Sequence, residues 1–275
     1  PMTILNHGAS YAVAEDVALI TERTHPATMA AEGPLHELGS IQIVNSDSQG
    51  MGRIMETFRR TIQLADAMKA WRASAAGAAA GSWAAAAAGY AGLPADRAAE
   101  DAADNDRVLR YLAKVTIEPA ITHGISEHVG SLRPGRLADI VLWSPAYFGV
   151  KPSYVVKGGH VAWLALGDGN ATVDGAEPTR YAPQWSGLAH AAPSVSALFV
   201  SGVADADAVR RRIDTARRII PIKGVRGLTR SSLALNRAAA PIEVDPVDGR
   251  VTLDGRPLAA APVSDVPLSR RYFLR

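Results

Sequence analysis

The stretch Ile43-Val44-Asn45-Ser46-Asp47-Ser48-Gln49-Gly50-Met51-Gly52-Arg53 ends an apolar run in one carboxylate and then opens, through a Gly-punctuated turn, into a helical pattern. A strand tip that hands over to a helix is where an α/β barrel places its catalytic groups. Asp47 at that junction has two readings. Flanked by serines, it can cap the helix or form the turn. At the C-terminal end of a strand, it can instead ligate a hard ion, nickel or zinc. The residues alone leave both open.

Other metal-binding patterns are missing. The seven histidines stand at 7, 25, 36, 123, 128, 160 and 190, and none forms His-x-His or His-Glu-x-x-His. His123 and His128 are five apart around Gly124, a poor spacing for ligands on one helical face, so a turn role suits both better. No motif in the chain therefore supplies a site of three or more protein ligands. No Gly-x-Ser-x-Gly, P-loop or dinucleotide fingerprint occurs either.

The elements that must position Asp47 follow from pattern. Residues 1–40 read as a long loop with one short Pro-initiated helix over Pro26 to Glu32, and Ile41 to Val44 as a short buried strand. Met51 to Arg72 reads as a helix with an apolar stripe of Ile54, Phe58, Ile62, Ala65 and Met68. Residues 73–106 are Ala- and Gly-rich and read as an insertion. Arg107 to Val115 reads as a short amphipathic helix facing inward through Val108, Leu109, Leu112 and Val115, stopped near Glu118-Pro119. Beyond it the texture is β. A buried strand is expected before Trp143, and the runs 153–157 and 160–163 are joined by Gly158-Gly159, a hairpin cue. A strand at 197–200, an Arg-rich helix and a hairpin around Asp248-Gly249 complete the chain.

Composition narrows the classes. The 275 residues hold 29 Lys and Arg against 27 Asp and Glu, a net charge of +2 that gives no reason to expect a nucleic-acid partner. The cluster Arg210-Arg211-Arg212 with Arg217-Arg218 reads as the solvated face of a helix that also carries Asp205, Asp207 and Asp214. Cysteine is absent, which excludes disulfides and thiolate chemistry and suits a cytoplasmic protein. No apolar run reaches the roughly 18 residues of a membrane span.

The segment Ser46 to Arg53 closely resembles the Ser-Asp-Ser-Gln-Ala-Met-Gly-Arg motif of the urease α (catalytic) subunits. The likeness continues, in order, through Asn105 to Val108, Tyr111 to Lys114, Ile117 to Ser126, Val129 to Ser131, Gly135 to Trp143, Phe148 to Pro152 and Arg271 to Leu274. It covers nearly the whole chain, is broken mainly by the Ala-rich insert, and corresponds to roughly the C-terminal half of such a subunit.

The resemblance implies an α/β fold: the C-terminal part of a (β/α)8 amidohydrolase barrel plus part of a small β domain. It implies the end of the barrel with its flap at 1–72, the insertion at 73–106, a barrel-associated helix at 107–115, part of the β domain at 116–165, and a segment packing back on the barrel at 166–275. Ureases hydrolyse urea at two nickel ions bridged by a carbamylated lysine. By position, the carboxylate nickel ligand falls on Asp47, the flap histidine that protonates the leaving ammonia on His7, and the flap arginine that bonds the urea oxygen on Arg23. The carbonyl that orients a urea amide falls on Gly50, where the family usually has Ala.

The family's His-x-His pair, bridging lysine and remaining nickel-binding histidines have no counterparts here. The flap's usual Cys is Asn6, and the second histidine of its pair is Gly8. The expectation is a urease α part that needs a missing N-terminal half for activity, with β and γ subunits and nickel-loading accessory proteins as partners. The alternatives are a non-catalytic urease-like subunit with an interaction or regulatory role, and a divergent amidohydrolase acting on another amide.

Overall fold

In this computed structural model, residues 10, 12–23, 25–47, 54–76, 104–164 and 191–259 are described. In chain order they form helices α1 (Ala14–Arg23), α2 (Pro26–Leu38), α3 (Ile54–Ala76), α4 (Asn105–Ala113) and α5 (Ile117–Thr122). Strands β1 (Ile140–Trp143), β2 (Pro152–Lys157) and β3 (His160–Leu164) follow, then α6 (Ala191–Ser194), β4 (Ala197–Val200), α7 (Ala206–Ile213) and β5 (Arg218–Pro221). The last described elements are β6 (Ile242–Val244), β7 (Val251–Leu253) and β8 (Arg256–Pro257). The chain divides into two compact units, one of Pro1–Glu118 with Thr229–Arg275 and one of Pro119–Leu228.

In the first unit, the region expected to be loop with a short helix contains α1 and a longer α2. Pro26 starts α2 where a missing N–H is harmless. Gly39 ends it at φ +76, a left-handed conformation that an L side chain resists. Gly39 N–H bonds the carbonyl of His36, and the N–H groups of Ser40 and Ile41 both return to Leu35 O. A core of Ala31, Leu38, Val251, Leu253 and Leu258 joins α2 to the antiparallel β6-β7-β8 sheet. Thr28 Oγ1 also donates to Gly249 O at the hairpin turn, 2.8 Å away. On the other side α2 meets α3 closely, for a Cβ on Gly33 would stand 3.0 Å from Met68 Cε. The α3 stripe is buried at Ala65 and Met68, whereas Ile54 at its start is 66% exposed.

Three expectations for residues 41–119 require correction. Ile41–Val44 belongs to no sheet among the described residues; it is a half-buried segment tied to its neighbours by isolated bonds. Helix α4 turns its charged side inward, burying Arg107, Arg110 and Tyr111 and leaving Leu109 57% exposed. Pro119 does not stop a helix but lies in the first turn of α5, where proline is tolerated.

In the second unit, β1, β2 and β3 form an antiparallel sheet in that order. The expected β2-β3 hairpin is present, and Gly158 and Gly159 both take positive φ (+58 and +88), as a two-residue primed turn requires. Strand β1 is less buried than expected, with Val141 and Leu142 44% and 50% exposed. Strand β4 pairs in parallel with β5, a strand absent from the pattern reading. Between them runs α7, whose N-cap Asp205 accepts from the N–H groups of Asp207 and Ala208. Its arginines are exposed, as a solvated face demands. Among the described residues no helix is long and apolar enough to cross a membrane.

Candidate active site

Of the four residues singled out, the structure describes the environment of one. Asp47 ends the segment 41–47, is exposed, and has φ +48, a left-handed conformation that Asp accepts more readily than most side chains. It has no hydrogen-bond or ion-pair partner among the described residues. Residues 48–53, which would decide whether it caps a helix, lie outside the described set, as do His7 and Gly50. Arg23 is the last residue of α1, and its side chain is likewise outside it. Among the described residues no group of three or more His, Cys, Asp or Glu could hold a metal. His123 and His128 both sit in turns after α5, each donating its backbone N–H locally, to Pro119 O and Ile125 O.

What holds the Asp47 segment is a buried polar network that the pattern reading missed. Glu37, at the end of α2, has no exposed surface. Its carboxylate accepts from Arg107 (Nε, 3.1 Å), Arg110 (Nη2, 3.3 Å) and Tyr111 (OH, 3.1 Å). Arg110 Nη1 also donates to Glu37 O at 2.6 Å, which satisfies a last-turn carbonyl of α2. Arg107 reaches Asp104, and Arg110 reaches Asp106 at 3.1 Å.

Glu118, equally buried, accepts from three consecutive N–H groups, those of Ala234, Leu235 and Asn236, at 2.8–2.9 Å. Asn236 Nδ2 then bridges to Arg110 O at 3.0 Å. Lys114, also without exposed surface, directs Nζ at Ile41 O, while its own carbonyl accepts the Val44 N–H at 3.1 Å.

These surroundings set the protonation states. Burial opposes the charge on Arg107, but bonding to Glu37 and then Asp104 outweighs it and holds the guanidinium above its ordinary value. Burial, reinforced by the Glu37 carboxylate, pushes the Tyr111 phenol up, so it stays a donor. Burial first, then the Arg110 guanidinium, brings Lys114 down to about 7 in spite of Glu118 and Glu37.

Known proteins place the chain. The amidohydrolase family model matches residues 2–172, more than half of it. The chain belongs to the amidohydrolase family. It is 40% identical over 272 residues to a urease subunit alpha from Laribacter hongkongensis. That match covers 99% of the chain and 44% of the relative, so the chain spans less than half the length of the protein it matches. Its mixed helix and strand content accords with the family. Of the missed residues, Arg107, Tyr111, Lys114 and Glu118 were inside stretches that resemble urease, whereas Glu37, Arg110 and Asn236 were not, and the cue was an excess of charge on a helix expected to pack.

Proposed function

We propose that this chain is part of a nickel-dependent urease α subunit, hydrolysing urea to ammonia and carbamate, and that it acts only together with polypeptide supplying the remaining ligands. The observation that carries the reading is 40% identity over 272 residues, with Asp47 inside a Ser46 to Arg53 segment that departs from the family motif only at Gly50. In the same reading, residues 1–72 complete a (β/α)8 barrel, 73–106 are an insertion, 107–115 a barrel-associated helix, 116–165 part of a β domain and 166–275 a segment returning to the barrel.

The residues fit one share of such a site. Asp47 offers an exposed carboxylate with no partner among the described residues, the kind of oxygen donor a divalent cation takes. A bound nickel pair supplies Lewis acidity toward a carbonyl and makes hydroxide available near neutral pH. His7 then delivers a proton to the departing amine, a task suited to imidazole. Arg23 places guanidinium donors where charge develops on the urea oxygen. Gly50 contributes only its backbone carbonyl, so loss of the Ala methyl leaves the contact chemically possible. As flap groups, His7 and Arg23 would complete the site on closure. The β and γ subunits, accessory nickel-loading proteins and a cytoplasmic location belong to this proposal.

Asn6 and Gly8 favour a second reading, a urease-like subunit retained for interaction or regulation, because they alter the flap beside His7. Assay of the complete nickel-loaded polypeptide, with its partner subunits, decides between them. Ammonia release from urea supports the enzyme; nickel bound without turnover of urea or other small amides supports the non-catalytic subunit.

A further inference from the structure

We propose that Lys114 is a positioning residue for Asp47, clamping the segment that carries it at two points; the inference rests on the metal-binding role proposed for Asp47. The segment Ile41–Asp47 pairs with no strand among the described residues. Among those residues, Lys114 bonds it twice. Its side chain donates to Ile41 O and its main chain accepts from Val44 N–H, so one residue fixes two positions three apart. Ile41 is held from the other side by its own N–H bond to Leu35 O, just past the Gly39 cap. Asp47 stands three residues beyond the second clamp, and an error in the path of Ile41 to Val44 is carried directly to its carboxylate.

The side chain of Lys114 is in turn confined. Its Nζ lies 5.5 Å from the centroid of the Tyr111 ring, and Tyr111 is fully buried and bonded to Glu37. The anchor therefore reaches back through Glu37 to Arg107 and Arg110, giving the clamp a base in α2 and α4. A residue needed only to fill this space would be better served by methionine, which has similar length and no amine to desolvate. The use of lysine points to the bond it makes to Ile41 O.

The test uses the complete nickel-loaded protein containing this chain, with Lys114→Met, Lys114→Arg and Asp205→Ala variants. Hydrogen exchange over residues 41–47, nickel affinity by chelator competition, and kcat and KM for urea are measured for each. Lys114→Met is expected to speed exchange over 41–47, weaken nickel by about tenfold, the usual size for groups that orient a metal ligand, and lower kcat more than it raises KM. Lys114→Arg, which keeps a donor, should recover part of each loss, and it carries the test alone if the Met variant fails to fold. Asp205→Ala should lower thermal stability through the lost cap of α7 while leaving nickel affinity unchanged. Unchanged exchange and affinity in Lys114→Met overturn the proposal, as does an equal loss of nickel in Asp205→Ala. A wild type that binds no nickel refutes the role of Asp47 instead, while the exchange data still report whether Lys114 holds the segment.

Discussion

A lysine without exposed surface is held at a cost that depends on pH, and Lys114 makes that dependence measurable. Its folded value of about 7 lies below the ordinary 10.5, so between these values the folded state binds fewer protons than the unfolded chain. Stability contributed by the free amine is thus fully present above 10.5 and is lost as the pH falls toward 7, at no more than about 1.4 kcal/mol per pH unit. Tyr111, raised by burial, acts oppositely above about pH 10, where only the unfolded phenol ionises. Guanidinium denaturation from pH 7 to 9.5 should show wild-type stability rising and Lys114→Met nearly flat; parallel profiles would contradict the assignment. The second residue with a sharp expectation is Glu118. Glu118→Ala leaves the N–H groups of Ala234, Leu235 and Asn236 without their acceptor. A loss of about 3–5 kcal/mol in the same denaturation measurement is expected for a broken buried charge network, and a loss below about 1 kcal/mol would mean that water or another group replaces the carboxylate.

At the scale of elements, legibility followed distance along the chain. Gly158-Gly159 and Asp248-Gly249 announce their hairpins because turn chemistry is local, and both hairpins are present. The orientation of α4 was not legible, because its burial is decided by partners 70 to 126 positions away, Glu37 and Asn236, which no periodicity within the helix can signal. The apolar stripe of Val108, Leu109 and Leu112 predicted the opposite face. The segment before Asp47 read as a strand for a related reason: four apolar and amide residues fit a ladder, but its bonds go to Leu35 and Lys114. Glycine positions give a clean comparison. A Cβ on Gly124, at φ +69, would stand 2.4 Å from Lys223 O, whereas one on Gly135, at φ +87, would meet nothing within 4 Å. Gly135→Ala should therefore cost only the left-handed penalty of about 1–2 kcal/mol. Gly124→Ala should cost clearly more, read as a larger fall in melting temperature; equal falls would show that the backbone near Lys223 yields freely.

At the scale of the molecule, the chain supplies one candidate ligand to a chemistry that needs several, and spans 44% of the relative it matches. Within the first unit, the buried network of α2, α4 and α5 gives the segment leading to Asp47 a fixed base, while Asp47 itself stays exposed and without a described partner. The candidate residues were legible only through collinear resemblance, since Asp47 alone fits a helix cap as well as a ligand. The measurement that bears most directly on the account is the nickel content of the complete protein after loading and dialysis, compared with that of Asp47→Ala at matched folding. The account predicts nickel retained by the wild type and lost, wholly or in large part, by the variant. Equal nickel in the two proteins would contradict it.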